Sequence, residues 1–227
     1  MDSYASTRAR HEHYIDRTAA KTWERLTSDA PVSRIRQTVR EGRDTMRAAM
    51  LGRLPEDLTG ARVLDAGCGA GPMSVALAER GAQVVGVDIS PQLLEVARKR
   101  TPEAVASRIT YTPGDMLDEG HGSFDYVMAM DSLIHYEAAD IGRALARLMA
   151  RTGQAVVFTI APKTPFLSAM WLAGKAFPRS DRSPQIIPHS DAAIEAAVRA
   201  EGLSGPLRRV TRVSRGFYIS QAMELRP

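Results

Sequence analysis

The sequence predicts an α/β fold: a doubly wound, mostly parallel, seven-stranded sheet with an N-terminal helical extension and an insertion after the fifth strand. Three observations carry this. The apolar run Val63-Leu64 leads into Asp65-Ala66-Gly67-Cys68-Gly69-Ala70-Gly71, as a buried strand runs into a tight turn. A second run, Val84-Val85-Gly86-Val87, ends in Asp88. That acid lies about twenty residues beyond the first glycine, where a doubly wound nucleotide-binding unit holds ribose hydroxyls. Further strand-length and helix-length patterns then alternate to the end of the chain.

In order, residues 1–53 read as a helical arm and 54–227 as the ligand-binding domain, with 161–189 inserted on the substrate side. Residues up to about Arg53 read as helical and apart from the sheet; within them Thr7 to Leu26 carries Tyr14, Ile15, Trp23 and Leu26 among charges. A second helix starts near Pro31 or Val32, capped by Asp29. Ile35, Val39, Met46, Ala49 and Met50 give it an apolar face. Arg34, Arg36, Arg40, Arg43 and Arg47 occupy the rest and mostly read as a solvated face. The sharper alternative is that one or two of them face the site and hold a carboxylate. Glu41 and Asp44, interspersed there, argue against nucleic-acid binding.

Past the turn-rich Leu54 to Gly60 comes the first strand, then a helix from Gly71 to Arg80, stopped by Gly81. The second strand is Gln83 to Asp88; Ser90-Pro91 then caps and opens a helix with Leu93, Leu94 and Ala97 inward. Arg108 to Thr112 is the third strand and Phe124 to Met130 the fourth. Asp140 to Arg151 is helical and Gln154 to Ile160 is the fifth strand. The insertion is punctuated by prolines around an apolar helix from about Pro165 to Ala176. It reads as a lid packed on the core, as a wall for a large flat apolar substrate carrying acids, or as a membrane-surface contact. Ser190 to Gly202 is the last helix; Arg208 to Val213 and Gly216 to Met223 are closing strands.

The glycine turn selects its ligand. Gly-x-Gly-x-Gly replaces the dinucleotide spacing, and Asp65 stands before the first glycine. A carboxylate there repels phosphate and attracts an ammonium. An NAD-dependent oxidoreductase is therefore disfavoured. The pattern resembles the first motif of class I S-adenosylmethionine-dependent methyltransferases, whose fold is Rossmann-like. That resemblance implies that Gly67, Cys68, Gly69 and Gly71 wrap the methionine part of the cofactor. Asp65 would support its amino group and Asp88 its ribose, with Ile89 and Met130 beside them. Asp115 would accept from the adenine amino group, and Met116 would pack on the ring; a plain Asp-containing turn explains Asp115 nearly as well. His135 follows the fourth strand, at the edge where ligands of open α/β sheets bind.

Composition bounds the rest. The 227 residues fit one large domain, and a 44% apolar share supplies a core. One cysteine excludes an internal disulfide; Cys68 reads as a small turn residue rather than a nucleophile. The polar start shows no secretory signal, and no apolar run is long enough to span a membrane. A cytoplasmic protein is expected, with peripheral contact at a membrane surface left open. Net charge +4 permits an anionic partner without naming one. His11 and His13 lack companions for a metal site, so none is predicted.

Several segments narrow the resemblance: Glu12 to Thr18, Val32 to Arg43, Asp65 to Gly69, Met130 to Tyr136, Ala161-Pro162-Lys163-Thr164, Phe177-Pro178 and Arg215 to Ser220. With these the whole chain resembles the magnesium-protoporphyrin IX O-methyltransferases, in the form from purple bacteria. The resemblance implies S-adenosylmethionine as cofactor and methylation of one propionate of magnesium-protoporphyrin IX in bacteriochlorophyll synthesis. It places His135 in catalysis. A tyrosine of oxygenic relatives, four residues beyond the N-terminal tryptophan, is replaced here by Thr27, leaving Tyr14 as its stand-in. Arg34, Arg36, Lys163 and Trp171 are the implied substrate contacts. The porphyrin-binding subunit of magnesium chelatase is a family-type partner. The alternatives are a methyltransferase for another carboxylate or amphipathic metabolite, and a tetrapyrrole carrier without chemistry.

Overall fold

The computed structural model describes residues 3–14, 34–175 and 186–227, with side chains except those of 10–14, 34–36, 170, 171 and 173–175. In chain order the elements are α1 (Ser3–Tyr14), α2 (Arg34–Leu51), β1 (Arg62–Ala66), α3 (Pro72–Glu79), β2 (Gln83–Asp88) and α4 (Pro91–Arg100). A four-residue α5 (Glu103–Ala106), β3 (Ile109–Pro113), β4 (Phe124–Ala129), α6 (Ala138–Met149) and β5 (Thr152–Pro162) follow. The chain ends with α7 (Pro165–Lys175), β6 (Pro188–His189), α8 (Asp191–Ala200), β7 (Leu207–Arg215) and β8 (Tyr218–Leu225).

The sheet order is β3-β2-β1-β4-β5-β8-β7, with β6 paired to β5. Strands β1 to β5 are parallel, while β8 runs antiparallel to β5 and β7. The seven expected strands are present, and the two-residue β6 adds one that is too short to show a period. Side chains alternate across the sheet. Leu64, Ala66, Val127, Ala129, Val156 and Phe158 face α6 and α8, packing with Ile141, Leu145, Leu148, Ile194 and Val198. Val63, Met128 and Val157 face the other way, against Met46 and Met50 of α2 and Leu77 of α3.

The second helix is thus not apart from the sheet. Met46 and Met50 are fully buried in the α3-side core, each contributing roughly 2 kcal/mol by burial. Gly42 lies flat on the Tyr218 ring, where a Cβ would come within 2.6 Å. Arg53 ion-pairs with the buried Glu224 of β8 at 2.7 Å. The predicted start of this helix, near Pro31, lies outside the described residues. The first helix begins four residues before the expected Thr7, and its predicted continuation beyond Tyr14 is also outside them.

The predicted cap is observed, with Ser90 accepting from Leu93 N–H, and Ser190 caps the last helix in the same way by accepting from Ala193 N–H. Strand boundaries shift by one or two residues, and the closing hairpin turns at Gly216-Phe217 rather than at Ser214-Arg215. Among the described residues no helix is long and apolar enough to cross a membrane.

Candidate active site: an acid-flanked glycine turn and a pinned loop

The glycine turn connects β1 to α3. Gly67, Gly69 and Gly71 all have positive φ, at 81°, 54° and 83°. Val87 carbonyl accepts from both Gly67 and Cys68 N–H, fastening the turn to the end of β2. Nothing lies within 4 Å of where a Cβ on Gly69 would stand, whereas one on Gly67 would run into Ser132. The turn is therefore open on one side and closed by the β4 loop on another.

Two acids flank it. Asp88, at the carboxyl end of β2, accepts from Gly69 N–H at 2.8 Å and from Ser90 N–H at 2.9 Å. Burial raises its pKa, opposed by those two backbone donors. Asp65 shares its sheet face with Val63 and points to α3, where Ser74 Oγ donates to it at 2.6 Å. Burial pushes Asp65 up to about 7, with Ser74 opposing the shift. Burial and these acids also drive the Cys68 thiol well above its ordinary value, which suits an inert turn residue.

Asp115 is engaged differently from the expectation. Its Oδ1 accepts from Tyr4 OH and Leu117 N–H, both at 2.9 Å, and its Oδ2 from Arg8 at 2.7 Å. Three donors thus already surround the carboxylate assigned to adenine. Tyr4 also stacks on Tyr136, with centroids 4.7 Å apart and planes at 20°. Burial and the neighbouring Asp115 push Tyr136 up to about 12, so the stack stays neutral. Ser3 Oγ donates to the buried Asp140 at 2.5 Å. Helix α1 is therefore fastened across the carboxyl edge of the sheet, with Asp115 as its anchor. Met116 is buried in the α6-side core rather than on an open face.

The loop after β4 is pinned from four elements. Asp131 is the one non-glycine residue with positive φ among the described residues, at 57°. Its N–H donates to Thr159 Oγ1 of β5 at 2.7 Å. Its carboxylate receives Tyr218 OH at 3.1 Å and Ser220 Oγ at 3.3 Å from β8. Arg43 of α2 lies 3.4 Å from it. One arginine of that helix, Arg43, does meet a carboxylate, and it is the protein's own. Burial, then the charge of Asp131, raises the Tyr218 phenol pKa and keeps it protonated. Beyond Asp131, Ile134 carbonyl accepts from Ile187 N–H at 2.9 Å, and His189 Nε2 lies 2.8 Å from Tyr136 carbonyl. The residues around β6 thus hold the turn that carries His135. Sequence reading treated Asp131, Tyr218 and Ser220 only as parts of segments. The left-handed φ, the one signal marking Asp131, is a backbone property that its residue type barely discloses.

Other predicted residues are scattered. Met130 is half-buried against the α3-side core, and Ile89 is half-buried after Asp88. Lys163 is exposed just past β5, its N–H bonded to His189 carbonyl. Tyr14 ends α1, Arg34 opens α2 with Arg36 two residues on, and Trp171 is in α7. The side chains of these four lie outside the described ones. Among the described residues no group of three or more His, Cys, Asp or Glu could hold a metal.

The chain is 58% identical to a magnesium-protoporphyrin O-methyltransferase of Rhodobacter capsulatus, over 99% of this chain and 98% of that one. It belongs to the magnesium-protoporphyrin O-methyltransferase family. A family model described as "Magnesium-protoporphyrin IX methyltransferase C-terminus" matches residues 129–227, and a "Methyltransferase domain" model matches 63–153. The chloroplastic magnesium protoporphyrin IX methyltransferase of Arabidopsis thaliana is 30% identical over 94% of this chain and 69% of its own length. Among solved structures, the magnesium protoporphyrin IX methyltransferase of Synechocystis with bound SAH superposes with a TM-score of 0.79. It is 28% identical and covers 96% of this chain and 98% of that chain. The fold is that of class I methyltransferases, as the sequence predicts.

Asp65 gives this family member a measurable pH signature. A ligand ammonium is favoured by ionised Asp65, which titrates at about 7 in the free protein. Affinity for S-adenosylhomocysteine should therefore strengthen as pH rises from about 6, approaching tenfold per unit, and level off above 7. Titration calorimetry across that range checks this, and Asp65→Asn should flatten the profile. By linkage the unliganded fold holds this proton more tightly than the unfolded chain. Its contribution to stability is thus full at acid pH and lost as pH rises from about 4 towards 7.

Proposed function

We infer that this protein transfers a methyl group from S-adenosylmethionine to a propionate carboxylate of magnesium-protoporphyrin IX, giving the monomethyl ester of the bacteriochlorophyll pathway. The observation that carries the reading is the turn itself. Open space over Gly69, with buried Asp65 and Asp88 on either side, fits a ligand bearing an ammonium and ribose hydroxyls. Asp88 would take the ribose, Asp65 the amino group, and the glycine backbone the chain between them. Bound there, S-adenosylmethionine supplies an activated methyl on a sulfonium, with a neutral thioether as leaving group.

The acceptor side is apolar and basic. Phe166 of α7 and Phe217 of the closing hairpin are about half exposed, with centroids 6.4 Å apart. Exposed Lys163 and Arg215 stand beside them in sequence. An aromatic pair with cations at its margin suits a flat macrocycle with acidic arms. The propionate is ionised at neutral pH and needs no strong base. The chain's task is to align the carboxylate and exclude water. Arg43 is already paired with Asp131, which leaves the attacking oxygen its nucleophilicity.

His135, in the turn held by Ile187 and His189, would orient the propionate or take up a proton. His135→Ala should lower kcat by about 100-fold, within the usual range for such a group, with S-adenosylhomocysteine affinity nearly unchanged. Single-turnover kinetics and calorimetry measure the two. Wild-type turnover in the variant would remove His135 from the mechanism.

For location, we propose a cytoplasmic protein that touches the photosynthetic membrane reversibly through the exposed Leu172 of α7, and that receives substrate from the chelatase's porphyrin-binding subunit. Flotation with anionic vesicles and co-sedimentation with that subunit test these contacts. The function is tested by incubating the purified protein with S-adenosylmethionine and magnesium-protoporphyrin IX and identifying the monomethyl ester. Metal-free protoporphyrin and unrelated acids serve as controls.

A further inference from the structure

Ser132 has an unusual position. Its Oγ is buried with no hydrogen-bond partner. It lies against the glycine turn: a Cβ on Gly67 would come within 2.5 Å of Ser132 Cβ and 3.3 Å of its Oγ. Yet the residue as a whole is only half-buried. A serine hydroxyl moves between staggered positions by one rotation about χ1. Such a rotation gives this hydroxyl other directions in which to meet a partner. An unpaired buried hydroxyl costs the fold, so the unliganded state favours whatever satisfies it.

The surroundings specify what that would be. The side chains at this turn are acceptors: Asp65 and Asp88 are both buried carboxylates. They suit the cationic and hydroxyl parts of the ligands. Both reactants also carry a carboxylate, which neither acid can bind. Arg43, which reaches this loop from α2, is engaged with Asp131. Ser132 is a hydroxyl donor in the right place. Its backbone is set by the preceding residue, since left-handed Asp131 is locked to Thr159, Tyr218 and Ser220.

We propose that Ser132 is a carboxylate-binding residue of this site, its Oγ–H donating to the α-carboxylate of the cofactor or to the propionate of the acceptor, with Asp131 as the positioning residue that presents it. The proposal rests on the methyltransferase reading and deepens it. It explains why a buried hydroxyl is kept unpaired next to a glycine turn.

The test is Ser132→Ala, read in three ways. Removing an unsatisfied hydroxyl should raise the Tm of the ligand-free protein by about 2–4 °C. The same change should weaken carboxylate binding by about tenfold. Calorimetry with S-adenosylhomocysteine and with its decarboxylated analogue separates the sources. A loss for the first and none for the second assigns the hydroxyl to the cofactor. Unchanged affinity for both, with a tenfold rise in KM for magnesium-protoporphyrin, assigns it to the propionate. Equal losses for both cofactor analogues would overturn the proposal, as would unchanged affinities with unchanged KM. A lowered Tm would also overturn it, because the hydroxyl would then be structural. If the wild-type protein made no ester, the function reading would fail, while the two calorimetric arms would still decide whether Ser132 meets a cofactor carboxylate.

Discussion

Asp88→Ala should weaken S-adenosylhomocysteine binding by about 100-fold or more. Two effects act together. The carboxylate would hold ribose hydroxyls, and each charge-assisted hydrogen bond of that kind contributes about 1.5–3 kcal/mol, or tenfold and upward in affinity. It also accepts from Gly69 and Ser90 N–H, so its loss leaves two backbone donors unsatisfied and frees the turn from the end of β2. Asp88→Asn separates these effects. The carboxamide keeps one acceptor oxygen but turns an N–H towards a backbone donor, so one of the two braces is lost. An affinity between those of wild type and Asp88→Ala is expected. Calorimetry measures the cofactor, and quenching of porphyrin fluorescence should show acceptor binding largely intact. Full cofactor affinity in Asp88→Ala would remove Asp88 from the site.

Gly69→Ala and Gly67→Ala should fail in different ways. Both residues sit at positive φ, where alanine costs about 1–2 kcal/mol. At Gly69 nothing surrounds the new methyl, so the fold should lose little beyond that strain. The methyl then stands in the space a ligand needs, and cofactor binding should drop by at least 100-fold on the scale of a steric block. At Gly67 the methyl meets Ser132 Cβ at 2.5 Å, and a Cβ cannot move without its backbone. Because Asp131 holds that backbone to β5 and β8, Gly67→Ala should destabilise the fold by a further 1–3 kcal/mol or so. Gly60→Ala supplies the reference, having φ of 83° and no neighbour within 4 Å. Thermal melts should rank Gly60→Ala and Gly69→Ala together and Gly67→Ala below them, while calorimetry should single out Gly69→Ala as folded but unable to bind. If Gly69→Ala bound cofactor normally, the turn would not be the cradle.

Particular residues show where sequence reading reached its limit. Asp65 and Asp88 were legible because each ends a short apolar run beside a glycine turn, and both facts lie within a few residues. The Ser90 cap was legible for the same reason. Arg43 was not. It sits among arginines at helical spacing, and nothing local separates it from Arg40 or Arg47. Its neighbour Asp131 is supplied by the loop after β4, 88 positions later, through the packing of Gly42 on Tyr218. Asp115 shows the converse case. Its place after β3 was correctly seen, but Tyr4 and Arg8, more than a hundred residues earlier, reach it first.

The sequence by itself determined the parallel sheet, the glycine turn between two acids, the family and hence the reaction. These follow from strand and helix periods, from glycine's freedom at positive φ and from charge beside a turn, all of which act over a few bonds. Tertiary structure alone decided that α1 is fastened to Asp115, that Arg43 serves Asp131, and that Ser132 stands unpaired against Gly67. Those outcomes depend on which distant elements pack together, because a side chain's partner is set by proximity in space, and no spacing along the chain encodes it.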